Sequence, residues 1–402
     1  MRYIRIKGDE KTYSIETTLA CFLLFIYGLN LFNRYFYISY AVVGICVLFL
    51  FFKHKIHASL QTLFVFVFLA GYYLLTSLIN NESRAEFVVQ CAIFYCFGAI
   101  SYQCAYGKQY KLFKLVAYGT AGFGLYGVIS SFYSVLDSGR YLQDVWGGGR
   151  LAATQVAAWC MVYMAFVPWL VFKGRNISKL LKALLYVLMA FSVISFFILS
   201  SRTGLIVSVF IVFLILLISI REKQSKVLTA IVALFFVALL AYIFNFAGIQ
   251  TAFWNSNLIL RMLQKQSTLG SAFDTGRVDR WIYVLTHFAD NFGGGYYYSR
   301  QLGGMIHNFF LDLYDECGLL PLLLMFVVVI RLIYGMVCIG KRNIGLEDKI
   351  GIISWFVVIL VLFLSEPVLY YGRTNLMAFF FFMIALVEFN GPIAYREELV
   401  SE

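Results

Sequence analysis

The chain has 402 residues, of which 61% are hydrophobic and only 13% charged, and its net charge is +11. Soluble domains carry roughly 25% charged residues, so this composition excludes a water-soluble globule. Only 4 prolines occur and no polar low-complexity tract is present, which argues against a long disordered tail.

The opening stretch, MRYIRIKGDEKTYSIE, is polar and too long for a cleaved signal, so the first apolar run reads as a retained span. A span needs about 20 mostly apolar residues. On that measure spans fall near 16–33, 36–52, 59–80, 86–106, 112–135, 151–172, 180–200, 203–220, 227–246, 318–339, 350–370 and 374–390. The expected fold is all-α: one polytopic transmembrane bundle over residues 1–402, with about 12 spans. Cys21, Cys46, Cys91, Cys96, Cys104, Cys160 and Cys338 lie in apolar runs, and Cys317 lies near a membrane edge. They form no CxxC pair and no metal spacing, so they read as small packing residues.

Basic loop residues set the orientation. With both termini placed in the cytoplasm, most of the 32 lysines and arginines fall inside, among them Lys7, Lys53, Lys111, Lys179, Lys223 and Lys349. The net charge is therefore an inner-leaflet anchor and no sign of nucleic acid binding. Outside, every basic residue except Lys265 is arginine. Topology needs only positive charge. Arginine adds a planar fork that grips phosphate or carboxylate through two hydrogen bonds, so the outer face suits anions.

Two outer connections are long: 136–150, and 247–317 between the ninth and tenth spans. Long loops are usually functional. Within the larger one, residues 275–289 place Val278, Trp281, Ile282, Leu285 and Phe288 on one helical face, with Asp274 or Thr275 as the cap. Arg277 and Arg280 sit one turn apart. Glycines of NFGGGYYYSRQLGG break the helix, and its tyrosines suit a membrane interface. Residues 305–317 read as a second amphipathic helix, with His307 and Asn308 at its start, Asp312 and Asp315 on its polar face, and Gly318 at its end. Both helices are expected to rest on the outer membrane surface and roof a cavity.

Of the 4 histidines, His54 and His57 flank inner lysines, and His287 reads as a partly buried surface residue. His307 follows two glycines close to the outer membrane edge. With an ordinary pKa of about 6.5, histidine can take a proton near neutral pH. Arg202 lies between two long apolar runs, where a charge is costly and marks a functional site by default. Arg150 and Arg373 occupy similar outer edges, and Glu366 is expected to pair with one of these arginines. No metal-ligand cluster, P-loop or GxSxG is present, and no cofactor is expected.

Four elements then occur in order: Arg150–Leu151–Ala152, Ser201–Arg202–Thr203–Gly204, Gly276–Arg277 four residues before Trp281, and His307–Asn308 followed by Glu316–Cys317–Gly318–Leu319. Their order and outer location resemble the bacterial O-antigen polymerase and O-antigen ligase superfamily over roughly residues 150–335. Leu320–Pro321 departs from it, since the family often has another glycine there. The resemblance implies a glycosyltransferase of the bacterial cytoplasmic membrane that uses a glycan on undecaprenyl pyrophosphate. It places Arg202 and Arg277, with Arg280, Arg150 and Arg373 nearby, on the pyrophosphate, and His307 as the catalytic base, with Asn308 and Glu366 in support. A polymerase would join repeat units onto an acceptor glycan, with a chain-length regulator as a possible partner. A ligase would use lipid A-core as acceptor. A lipid-linked sugar flippase or transporter is a third reading. It is weakened by the short connection at 173–179, where a two-half carrier has a long inner loop.

Overall fold

A computed structural model of the chain describes residues 15–31, 59–105, 109–135, 141–147, 149–173, 178–221, 276–342, 345–366, 368–369 and 374–393, with a few single positions between 44 and 251. The helices, in order, are α1 (Ile15–Gly28), α2 (Leu60–Asn80), α3 (Ala85–Ala105) and α4 (Gln109–Val135). Strands β1 (Tyr141–Gln143) and β2 (Arg150–Ala152) follow, then α5 (Ala153–Lys173), α6 (Lys179–Ile198) and α7 (Arg202–Arg221). After the undescribed stretch come α8 (Arg277–Thr286), α9 (Tyr297–Gln301), α10 (Phe309–Cys317), α11 (Leu319–Lys341), α12 (Leu346–Ser365) and α13 (Thr374–Glu388).

Among the described residues, seven helices are long and apolar enough to cross a membrane: α2, α4, α5, α6, α7, α11 and α12. Shorter apolar helices occupy Thr18–Gly28, Ala85–Ser101 and Thr374–Glu388. The expected spans at 36–52 and 227–246 lie almost wholly outside the described residues. Among the described residues the protein is a helical, membrane-embedded bundle with one small hairpin.

Two helices form its interior. α5 is buried almost throughout its length, and every residue of α13 from Asn375 to Glu388 is buried. Both are apolar all round, as a helix surrounded by others must be. Helices in lipid gain little from the hydrophobic effect against each other and rely on close packing. Gly122 and Gly28 let α4 and α1 touch backbone to backbone: a Cβ at Gly122 would stand 2.3 Å from Phe25 O. Gly98 brings α3 equally close to α13, where a Cβ would meet Phe382 O at 2.4 Å.

The hairpin corrects the expected span boundary at 151. Tyr141 pairs with Ala152 and Gln143 with Arg150, so α5 begins only at Ala153. Its turn is set by Asp144, which accepts from Tyr126 Oη at 2.7 Å and Trp146 N at 3.0 Å. Trp146 Nε1 then donates to Leu29 O at 3.0 Å, fastening the hairpin to the end of α1.

Residues 276–318 fold into a compact crown at that same end of the bundle, where α2 stops, α3 starts and α12 stops. Leu319 N donates to Phe292 O at 3.0 Å, and Gly295 N donates to Glu316 O at 3.2 Å. This crossing of the 292–295 segment over the end of α10 leaves no room for side chains. Gly318, at φ 84°, would place a Cβ 2.3 Å from Phe292 O.

Gly318→Ala is therefore expected to lower the crown's stability by about 3 kcal/mol more than Gly303→Ala. Gly303 has a comparable φ of 64° but nothing within 4 Å of its Cβ position. Thermal unfolding of the two variants in detergent checks this, and equal losses would refute the crossing.

Candidate functional site

The crown has its own small core of Val284, Tyr298, Ile306, Leu311, Tyr314 and Leu322. Tyr314 stacks on Phe288 at 4.2 Å and donates to Asn291 O at 2.7 Å. Tyr298 donates to His287 O at 2.6 Å. Of the three tyrosines read as an interface belt, Tyr298 lies in the crown core and Tyr297 packs against it, and Tyr297–Gln301 forms a short helix where only a break is expected. That helix starts because Asp315, reaching across from α10, accepts from Tyr298 N at 2.6 Å and Ser299 N at 3.2 Å.

α8 matches the expected amphipathic segment, but its cap differs. Gly276, at φ 79°, precedes it without a side-chain bond, and Asp274 and Thr275 lie outside the described residues. Its stripe of Val278, Ile282 and Leu285 is exposed. His287 ends the helix, with Nδ1 2.9 Å from Tyr283 O.

The second helix is shorter than 305–317. α10 begins at Phe309, and residues 305–308 run outside it. Asn308 is the N-cap, accepting from Phe310 N at 3.1 Å and Leu311 N at 3.3 Å. Because the cap holds residue 308 in extended backbone, His307 cannot join the first turn. It adopts φ 64°, a left-handed conformation rare for a residue with a Cβ. Its imidazole is half-buried, with Nδ1 shielded from solvent. α10 is also no surface helix. Phe309 and all residues from Leu311 to Cys317 are buried, the three acids included, because α10 packs into the bundle end against α2, α11 and α12.

The crown gathers five of the expected site residues. Arg280 donates through Nη1 to Met305 O, and Trp281 Nε1 donates to Ile306 O at 3.0 Å, so α8 grips the segment leading into His307. Arg277 donates through Nη1 to Ser365 O and pairs with Glu366 at 3.5 Å. Glu366 is the C-cap residue of α12 and is buried. Two of the arginines assigned to an anion thus already tie the crown together, each using Nη1 of a group with five N–H donors.

Arg150 and Arg202 are carried by other elements at the same end. Arg150 is exposed in β2. Arg202 is half-buried at the start of α7, where Ser201 Oγ accepts from Gly204 N at 3.1 Å and caps the helix. Arg373 lies outside the described residues.

One buried polar contact has no signal in the sequence. Glu316, buried at the end of α10, meets Arg84 at 2.9 Å, and its Oε1 accepts from Tyr72 Oη at 3.1 Å and Tyr296 Oη at 3.2 Å. Asn80 Nδ2 donates to Glu316 O at 2.9 Å. Burial pushes the Glu316 carboxyl above its ordinary range, and Arg84, Tyr72 and Tyr296 oppose that push. Asp312, on the polar face of the same helix, makes a second buried polar contact. Its Oδ1 accepts from Ile306 N at 3.1 Å and its Oδ2 from Asn308 N at 3.2 Å. Burial raises it from 3.8 to about 7, against the pull of those two donors. The spacing Asn308-x-x-x-Asp312 is the only sequence signal for this contact. Nothing local signals Arg84 with Glu316, which stand 232 residues apart.

No protein-family model matches the chain, and no curated protein sequence matches it.

Two stability outcomes follow from these contacts. His307→Gly is expected to be more stable than His307→Ala by about 1 kcal/mol, since only glycine is unstrained at this φ. Thermal unfolding decides it, and no difference would mean the backbone is not strained. Arg84→Gln is expected to cost about 3 kcal/mol by leaving Glu316 buried and unpaired, with part recovered in Arg84→Gln/Glu316→Gln. A loss in the double variant equal to the sum of the Arg84→Gln and Glu316→Gln losses would show that the pair is uncoupled.

Proposed function

We propose that this protein is a membrane glycosyltransferase that polymerises oligosaccharide repeat units carried on undecaprenyl pyrophosphate. The observation that carries the reading is His307. A titratable imidazole is held in a strained backbone conformation, gripped on both sides, in a crown over a membrane bundle. Strain of this kind collects at functional sites. The ordered resemblance of Arg150, Arg202, Arg277 and the His307–Leu319 stretch to the O-antigen polymerase and ligase superfamily supplies the reaction class.

In this reading the crown faces the periplasm or cell exterior, both termini are cytoplasmic, and the two undescribed apolar stretches complete about 12 spans. His307 takes the proton from an acceptor sugar hydroxyl. That oxygen attacks the anomeric carbon of the donor, a new glycosidic bond forms, and the bond from that carbon to the pyrophosphate oxygen breaks. Undecaprenyl pyrophosphate leaves with the electron pair. Arg202 and Arg280 hold its growing negative charge, which is usually the largest catalytic contribution. Arg277, already neutralised by Glu366, keeps α8 seated on the bundle while this happens.

The test uses purified protein in nanodiscs with an undecaprenyl-pyrophosphate-linked repeat unit. Wild type is expected to give a polymer ladder on a gel, and His307→Ala to lose about 100-fold or more in rate while remaining in the membrane. Wild-type chain lengths from His307→Ala would overturn the assignment of the base. Transfer only after lipid A-core is added would make the protein a ligase. Silence with both acceptors would favour a carrier.

A further inference from the structure

The start of α10 is already served by Asn308, whose side chain accepts from two backbone N–H groups of the first turn. Asp312 adds something the cap does not need. A carboxylate reaching back to the N-cap N–H would complete a reciprocal cap, and Oδ2 does this at Asn308 N. Oδ1 goes further, to Ile306 N, which lies beyond His307 and outside the helix. The two oxygens of one side chain therefore hold the N–H groups of the two residues that flank His307 in the chain, Ile306 and Asn308.

We infer that Asp312 is the positioning residue for His307, a buckle whose two carboxylate oxygens keep that residue in its left-handed seat. The inference rests on the proposed role of His307 as base. The surrounding contacts agree with it. Met305 O and Ile306 O are taken by Arg280 and Trp281 from α8, so the segment is held by its carbonyls from one element and by its N–H groups from Asp312. The position is also a costly one for a carboxylate. Asp312 is 6% exposed, and Asp315 and Glu316 on the same helix both disfavour its charge. A residue placed only to fill the crown core would be apolar. Releasing the buckle would let residue 307 leave φ > 0, its unfavourable backbone region, and swing the imidazole away from the reacting hydroxyl.

The experiment compares wild type, Asp312→Asn and Asp312→Glu in nanodiscs. Diethyl pyrocarbonate acylates neutral imidazole, and peptide mass spectrometry reads its rate at His307 against His287, a second histidine in the same crown. In Asp312→Asn the His307-to-His287 ratio is expected to rise about fivefold, because residue 307 opens locally while the crown stays folded. Asp312→Glu, which keeps the charge on a longer arm, should give a smaller rise. Polymerisation by Asp312→Asn is expected to lose about 30-fold in kcat with KM within about twofold, the signature of lost positioning rather than lost binding. A wild-type ratio in Asp312→Asn overturns the inference. Should Asp312→Asn unfold, seen as a rise at His287 as well, a wild-type ratio in Asp312→Glu overturns it instead. A raised ratio with no polymer from wild-type protein would sink the polymerase reading and leave the buckle standing.

Discussion

The crown depends on one buried ion pair. Glu316 is taken out of water at the junction between a membrane bundle and the small fold above it. A carboxylate there is tolerated only because Arg84, Tyr72 and Tyr296 converge on it. Exposed ion pairs are worth little, but a buried one is strongly destabilising to break, because the surviving partner stays unpaired. This contact comes from three separate places in the chain: α2, the turn before α3, and the crown. It registers α10 against the bundle. Everything that α10 carries, including the cap at Asn308 and the buckle at Asp312, takes its position from that registration.

The acids of α10 share a logic. Asp312, Asp315 and Glu316 each leave the helix to satisfy a different neighbour: the segment into His307, the start of α9, and the α2–α3 turn. A helix with three acids on one side reads as amphipathic, with those acids in water. Here they are internal struts, and the helix is buried on both faces. The glycines at 294 and 318 complete the arrangement by letting two backbones cross where any Cβ would collide. The result is a rigid mount for one strained histidine, which is the geometry the proposed proton transfer requires.

The arginines at the crown end of the bundle make structural contacts that sequence cannot separate from the proposed anion binding. Arg277, Arg280 and Arg84 all make structural contacts, two with buried carboxylates and one with a backbone carbonyl. The guanidinium fork that suits a pyrophosphate also suits a carboxylate at a domain junction. Residue type alone therefore does not show that Glu366 balances the charge of Arg277.

Much of the bundle was legible in the sequence. Apolar runs of span length are set by the thickness of the bilayer and need no tertiary knowledge. The amphipathic period of α8 and the stop at Gly318 follow from local backbone chemistry, and each can be read within one or two turns, whereas the cap at Asn308 moved the start of α10 from 305 to Phe309. The left-handed seat of His307, the buckle at Asp312, the burial of α10 and the pairings of Arg84 with Glu316 and Arg277 with Glu366 were decided only by tertiary structure. Those contacts join residues separated by a turn reversal or by the whole length of the chain. Burial, which gives a charge its energetic weight, is a property of the assembled neighbours and not of the residue itself.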